Sequence, residues 1–554
     1  MSESEETAHS EPPSSRHDVV IMGGGLAGLT LALQLKLRCA DLDVLVLERR
    51  GHPVAEATHK VGESTVEIGA HYFSEVLGLK GHLEASQLRK FGFRFFFSEG
   101  RRDIDQVTEI GASRPLAATS YQLDRGIFEN FLGEEAQRRG IRFMDQTMVR
   151  HVALGAEGHE HTLTAERAGA MHGFSARWLV DACGRAGLMK RKLGLELPNA
   201  HVCNAVWFRV KSRITLDDWS DNPAWQARCT PRARWLSTNH LVGAGYWVWL
   251  IPLASGSHSV GIVADPRLHP LERFDTFDKA MQWFEQYQPR LFDELDGKRD
   301  LLQDFAFFRN FSYGCKQVFS AQRWALTGEA GLFLDPFYSP GSDFIAIANT
   351  YITELVAMDR AGRPLGAHAQ LFDQLYHSFY DSTLALYTDQ YGLFGDPEVL
   401  PAKVVWDYTY YWGVLSQLFF QGRLADLGAL SQLRDELAQC QKLNLAVQAF
   451  LREWSAHSAK RNPAVMLDQA ALPWFAELNR SLLDTLDDAQ FRARVRASTR
   501  QLRALAADML GTAQRAYPRI AGGELQALLQ ALDQRLATAS AASASMLLPE
   551  SLPA

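Results

Sequence analysis

The chain has no run of about 18 consecutive apolar residues, so no stretch of it reads as a helix long enough to span a bilayer. Its first 16 residues lack the basic start and apolar core of a signal peptide. Acidic, Ser-rich and Pro-containing, they are expected to form a disordered tail. A basic excess is missing too: a net charge of -7 and a pI near 6.2 argue against a nucleic-acid-binding surface. The six cysteines (Cys39, Cys183, Cys203, Cys229, Cys315 and Cys440) show no C-x-x-C spacing. They read as free thiols of a reducing compartment, and they suggest no zinc site. No repeat of solenoid length is present. A cytoplasmic protein without membrane association is the resulting expectation.

At 554 residues the chain is too long for one simple core, and two or three domains are expected. The first begins with the apolar run Asp18 to Met22, which enters Gly23-Gly24-Gly25-Leu26-Ala27-Gly28. A helical pattern follows, then a second apolar run, Asp43 to Leu47, ending at Glu48-Arg49. This is a βαβ unit with G-x-G-x-x-G spacing. Gly23 permits the tight turn, Gly25 lets the backbone approach a pyrophosphate, and Gly28 lets the helix pack closely. Glu48 stands where a carboxylate would hold ribose hydroxyls and repel a 2′-phosphate, which favours FAD or NAD over NADP. Each such charge-assisted hydrogen bond is worth about 1.5–3 kcal/mol.

Two later stretches favour FAD over NAD. In Tyr121 to Phe128, Arg125 is placed to reach flavin-side phosphates or the ring. In Leu179 to Arg185, a strand ends in Asp181-x-x-Gly184. With Gly328-Glu329, these resemble the recurring FAD contacts of aromatic-hydroxylase-type flavoproteins.

Around Lys90 the sequence alternates as Lys90-Phe91-Gly92-Phe93-Arg94-Phe95-Phe96-Phe97. A continuous strand would put Lys90, Gly92, Arg94 and Phe96 on one face and Phe91, Phe93, Phe95 and Phe97 on the other. Further on, Phe208 to Val210, Trp235 to Ser237 and Val260 to Val263 are short strand candidates. Trp247 and Trp249 share one face of another strand, which Pro252 ends. The turn Phe333 to Gly341 includes Asp335 and leads into a helix from Phe344 to Met358, with Ser342 or Asp343 as its expected cap. Loop N–H groups and the positive end of that helix make a seat for an anion. After it the composition turns helical, with an aromatic cluster at Trp406 to Trp412.

The motifs Trp247-x-Trp249-x-Ile251-Pro252 and Phe333-x-x-Pro336-x-x-Ser339-x-Gly341 resemble those of the flavin-dependent halogenases, over about residues 17 to 420. The resemblance implies an α/β fold: a Rossmann-like FAD-binding domain, a β-rich substrate domain and a C-terminal helical module. Expected bounds are a tail at 1–16, FAD-binding parts at 17–187 and 321–365, a substrate domain at 188–320, a helical module at 366–536 and a tail at 537–554. It implies that FADH2 and O2 convert a halide, held by Ser339, Pro340, Gly341 and Ser342, into hypohalous acid. That acid would travel to Lys90, the catalytic lysine by resemblance, and halogenate an electron-rich aromatic ring. Trp247 and Trp249 would keep substrate off the flavin. FAD itself is expected against Gly23, Gly25, Leu26, Ala27, Gly28, Glu48, Arg49, Arg125, Asp181, Gly184, Gly328, Glu329 and Asp335.

Free-tryptophan halogenases carry a Glu where this chain has Tyr338, so the sequence looks closer to the phenol and pyrrole branch. Tyr338 and Phe93 are its substrate-pocket candidates. Pro340 lacks an N–H, which alters the expected halide seat. No second nucleotide fingerprint is present, so a separate flavin reductase is the expected partner. The aromatic substrate is either free or tethered to a carrier protein, with chloride or bromide as co-substrate. Two alternatives are an FAD-dependent aromatic monooxygenase and an inactive FAD-binding protein. Lys80, at an expected helix end, is the other candidate lysine.

Overall fold

The computed structural model describes residues 14–56, 61–156 and 158–545, with side chains described from 15 to 534. The apolar run at Ser14–Met22 forms the central strand of a seven-stranded sheet. Its parallel neighbours are Val44–Leu47 and Ala170–Asp181, and the outer strands Arg142–Met144 and Trp324–Leu326 are parallel too. His161–Arg167 and Thr147–Ala153 complete it as antiparallel strands. Every residue of Val44–Leu47 is buried, with the helix Leu26–Arg38 packed on it and the strand Thr147–Ala153 lying against it. The helices Leu26–Arg38 and Gly341–Arg360 pack against one another beside this sheet. Strand pairing starts at Ser14, so residues 14–16 are strand rather than tail; 1–13 lie outside the described residues.

A second sheet has eight strands, in the order Leu302–Phe308, Asn204–Val210, His258–Ala264, Tyr246–Pro252, Thr238–Gly243, Phe93–Phe96, Glu109–Gly111 and Met466–Asp468. Three of these come from outside 188–320. Phe93–Phe96 and Glu109–Gly111 lie within the stretch expected to bind FAD, and Met466–Asp468 lies within the helical stretch. One face carries Phe93, Phe95, Trp207, Val242, Trp247 and Trp249 toward the first domain. The other packs Phe96, Val206, Phe208, Leu241, Val248 and Leu250 with the helices Phe277–Tyr287 and Pro289–Asp296. Trp235 to Ser237, expected as strand, is instead a short turn of helix at Arg234–Leu236 and its cap. Arg234 turns inward there to pair with buried Glu109 at 2.9 Å.

The strand expected through Lys90 is broken. Pairing stops at Arg89 and resumes at Phe93, and Gly92 has φ +72. That left-handed residue reverses the alternation. Lys90 therefore lies with Phe93, its ammonium 3.4 Å from the ring centroid, and not with Arg94. Arg94 points to the opposite face and pairs with Glu109.

The C-terminal part contains Gly366–Leu384, Leu400–Tyr410, Arg434–His457, Asp488–Ala516 and Gly523–Ser545 as its long helices. Asp487 and Gln490 cap the fourth reciprocally. Helix continues to Ser545, so the tail expected from 537 is helical that far; 546–554 lie outside the described residues. Among the described residues no helix is long and apolar enough to cross a membrane.

Candidate functional site

Four parallel strands end at Met22, Leu47, Asp181 and Leu326, and the loops leaving them meet at one edge of the sheet. Ligands of doubly wound sheets bind at that edge. A cavity of about 540 Å³ opens there, lined by Gly23 to Ala27, Glu48, Arg49, Arg125, Gly184, Gly328 and Glu329. Its far wall is formed by Trp247, Trp249 and the loop residues Ser339 to Ser342.

The glycines divide by what surrounds them. A Cβ at Gly28 would lie 2.0 Å from Gly23 O, and one at Gly23 would lie 2.3 Å from Ala182 O. Gly25 has no atom within 4 Å of its Cβ position and faces the cavity. Gly28 is thus a packing residue, whereas Gly25 leaves room for a ligand. Glu48 accepts from Gly24 N at 2.7 Å and Arg50 N at 2.8 Å, which fixes its carboxylate at the cavity rim. Arg125 bonds Val61 O and Glu129, yet its buried Nε has no partner. Burial lowers its pKa to about 10 despite nearby Glu329 and Glu63. An open backbone cradle, a ribose-type carboxylate and an unpartnered buried guanidinium N–H fit FAD.

Two expected cofactor contacts are engaged elsewhere. Asp181 accepts from Cys183 N at 2.9 Å and Met189 N at 2.7 Å, holding the turn that presents Gly184. Asp335 is fully buried; it accepts from Phe337 N at 3.0 Å and His201 Nε2 at 2.8 Å, and also from the Tyr391 hydroxyl. Neither lines the cavity. Sequence reasoning missed both His201 and Tyr391, whose links to Asp335 cross long stretches of chain.

In the Pro-Gly loop, Pro336–Tyr338 is a short 3-10 turn, and Ser339 is left-handed with φ +52. A left-handed serine at such a loop is held only by its surroundings. The helix begins at Gly341 with Pro340 as N-cap and no side-chain cap. The expected cap, Asp343, instead accepts from Gly69 N at 2.8 Å and Tyr411 OH at 2.7 Å. Asp343 N and Phe344 N already bond Pro340 O. The N–H groups of Gly341 and Ser342 are then the first-turn donors left to face an anion.

Trp247 and Trp249 lie side by side with centroids 5.7 Å apart. Trp247 Nε1 donates to Tyr391 OH at 2.8 Å, and Trp249 Nε1 to Ser259 Oγ at 3.1 Å. Gly261 makes room for the second ring, since a Cβ there would lie 2.2 Å from it.

Lys90 is 6% exposed and sits behind the cavity wall. Its Nζ donates to Ser64 Oγ and Thr65 O, both at 2.9 Å. Ser64 Oγ in turn lies 2.9 Å from Thr238 Oγ1. Ser64, Thr238 and His240 all line the cavity, so one layer of side chains separates it from Lys90. Burial lowers the Lys90 pKa to about 7, against the opposing charges of Glu67 and Asp343. Burial likewise raises Asp343 to about 8 and Glu67 in the same direction. On the side away from the cavity, Phe93, Tyr338 and Tyr408 are mutual neighbours with centroids 6.1–6.4 Å apart. Tyr408 packs on Trp412 at 4.6 Å, where the helix widens into a π-turn at Tyr411–Ser416. Lys80 is excluded from this site: it starts a helix at Lys80–Ser86 instead of ending one, and its side chain is exposed beside Glu75.

His240 and Glu67 went unnoticed in the sequence. A signal for His240 was present, because Gly243-Ala244-Gly245 is a hairpin turn. Its register places Val242 opposite Trp247 and His240 opposite Trp249. Reading the turn as a hairpin carries the W-x-W face back onto His240.

A family model described as an FAD binding domain matches residues 16–251. The sheet edge, its cradle and this match define an FAD-binding domain. A flavin-dependent halogenase, chlA, of Dictyostelium discoideum is 25% identical over 442 residues, covering 72% of this chain and 70% of that protein. A 1H-pyrrole-2-carbonyl-(peptidyl-carrier protein) chlorinase of Pseudomonas fluorescens is 25% identical over 348 residues, 59% of this chain and 72% of that one. Among solved structures, halogenase PltM superposes with a TM-score of 0.62 at 18% identity, covering 87% of this chain and 99% of that chain. The flavin-dependent halogenase CmlS gives 0.53 at 20% identity, with 90% and 79% covered. The chain is thus similar in sequence to flavin-dependent halogenases and shares the fold of solved ones.

Proposed function

We propose that this protein chlorinates or brominates an electron-rich aromatic substrate through hypohalous acid delivered to Lys90. The observation that carries the reading is the placement of Lys90. A buried lysine stands one side-chain layer behind the cavity, and the anion-seating loop forms part of the same cavity wall. Bound FAD, reduced and in the presence of O2, supplies the oxidising equivalents. The glycine cradle, Glu48 and Arg125 hold it, and the first-turn N–H groups after Pro340 hold the halide. Trp247 and Trp249 exclude substrate from the flavin side. The wall of Ser64, Thr238 and His240 limits passage to something the size of hypohalous acid and excludes an aromatic ring.

At a pKa near 7, Lys90 is available both as ammonium and as amine. The ammonium donates a hydrogen bond to the acid's oxygen. The amine takes the halogen, R–NH2 + HOX giving R–NHX and water. Either form holds electrophilic halogen rigidly beside the substrate. Phe93, Tyr338, Tyr408 and Trp412 offer aromatic faces on which a phenol, pyrrole or indole ring can stack. A separate flavin reductase supplies reduced FAD, and a carrier-tethered ring is one form of substrate.

The test is an assay of purified protein with FAD, a flavin reductase, NADH and a panel of free and carrier-bound phenols, pyrroles and indoles. Chloride, bromide and halide-free reactions are compared by mass spectrometry. A halogen isotope pattern that disappears in Lys90→Ala supports the reading. A product gaining only oxygen, independent of halide, replaces it with a monooxygenase.

A further inference from the structure

We propose that His240 is the hydrogen-bonding station through which hypohalous acid passes from the flavin cavity to Lys90. The inference rests on the function proposed above, which supplies the oxidant. His240 is one of the three residues in the layer between cavity and lysine. It has no exposed surface, and neither ring nitrogen has a partner in hydrogen-bonding geometry. The backbone groups of Arg94, Phe337 and Thr238 lie close enough to favour a proton on the ring, but none meets a ring nitrogen in hydrogen-bonding geometry. Phe95 stacks on the imidazole at 4.7 Å, while Phe93, Trp247 and Phe337 surround it at 5.4, 5.2 and 5.2 Å. Phe93 is also the ring under Lys90 Nζ, so histidine and lysine touch the same side chain from two sides.

An apolar residue would fill this aromatic niche without leaving polar atoms unpaired, a penalty of about 1–3 kcal/mol. Two open nitrogens in such a place suit a small polar guest in transit. Burial and the nearby lysine charge lower the imidazole pKa to about 3, so the ring is neutral and offers one donor and one acceptor. The acceptor nitrogen takes the O–H of the acid. No covalent bond changes at His240, and the halogen moves only at Lys90, where the amine becomes a haloamine and water leaves.

The experiment uses full-length holoenzyme with FAD, a flavin reductase, bromide and an aromatic substrate from the panel. Monochlorodimedone in solution reports hypobromous acid that escapes, and the readout is the ratio of brominated product to scavenged oxidant. We expect His240→Phe to lower this ratio about tenfold, the weight of one lost hydrogen bond. His240→Gln, which restores a donor and an acceptor, should bring it back to within about threefold of wild type. Flavin fluorescence checks that each variant retains FAD, and His240→Leu replaces the phenylalanine variant if that one does not. Wild-type product with an unchanged ratio in the phenylalanine or leucine variant overturns the role of His240 alone. Wild type that makes neither product nor scavenged oxidant overturns the proposed function, and this inference with it.

Discussion

Lys90 donates a 2.9 Å hydrogen bond to Ser64 Oγ, and Ser64 is itself part of the cavity wall. The lysine is thereby tied to the layer that, in the proposed function, the oxidant crosses. A hydrogen bond to a charged group contributes about 1.5–3 kcal/mol. We expect Ser64→Ala to lower the rate of halogenation about tenfold, with a change in KM for the aromatic substrate of less than about twofold, because the bond orients the lysine and not the ring. Steady-state product formation measures both, and equal loss in rate and KM would contradict the assignment.

The buried position of Lys90 has opposite consequences for activity and stability. Its folded pKa of about 7 is depressed from 10.5, so between those values the unfolded chain binds more protons. Stability from this group therefore rises with pH across that window, and below pH 7 the buried ammonium costs the most. Replacement by an apolar side chain of similar shape, Lys90→Met, should abolish product and raise the melting temperature at pH 6 by a few degrees, at about 1 °C per kcal/mol for a chain of 554 residues. Calorimetry beside the activity assay gives the answer; a lower melting temperature would mean that the lysine's hydrogen bonds outweigh its burial.

The pH profile distinguishes the two forms of Lys90. If the amine carries halogen, product formation rises as pH passes through about 7. Lys90→Arg keeps the charge but cannot lose its proton in this range. We expect it to give no product between about pH 6 and about pH 9, a range that spans the lysine's titration. Substantial product from the arginine variant would assign the work to hydrogen-bond donation instead.

Gly25 and Gly28 should fail differently. Gly25→Ala places its methyl group in open cavity space, so the flavin-free protein should keep its thermal stability while FAD binding weakens. Gly28→Ala drives a Cβ to 2.0 Å from Gly23 O and should destabilise the flavin-free protein itself. Differential scanning fluorimetry with and without FAD separates the outcomes. Equal destabilisation by both would refute the distinction between ligand space and packing.

Tyr391 joins Trp247 to Asp335, the side chain that anchors the Pro-Gly loop. Tyr391→Phe leaves two buried polar groups with fewer partners, a loss of about 1–3 kcal/mol. We expect lower denaturant stability together with a higher KM for halide, since the loop loses part of its support. A stability loss with halide KM unchanged would confine Tyr391 to packing.

Features set by neighbouring residues were legible in the sequence. The glycine spacing from Gly23 to Gly28, the acid at Glu48, the tryptophan pair and the Pro-Gly loop all follow from short-range backbone geometry. Their consequence, the residues gathered at one sheet edge, could be anticipated from the βαβ rule alone. The side on which Lys90 falls could not, because it depends on Gly92 at φ +72, and a glycine permits that conformation without requiring it. The tertiary structure alone decided the layer of Ser64, Thr238 and His240, the turning of Asp335 toward His201 and Tyr391, and the company of Glu67 and Asp343 around Lys90. These pairs are far apart in the chain, and burial and proton affinity are properties of what surrounds a group in space, not of what adjoins it in sequence.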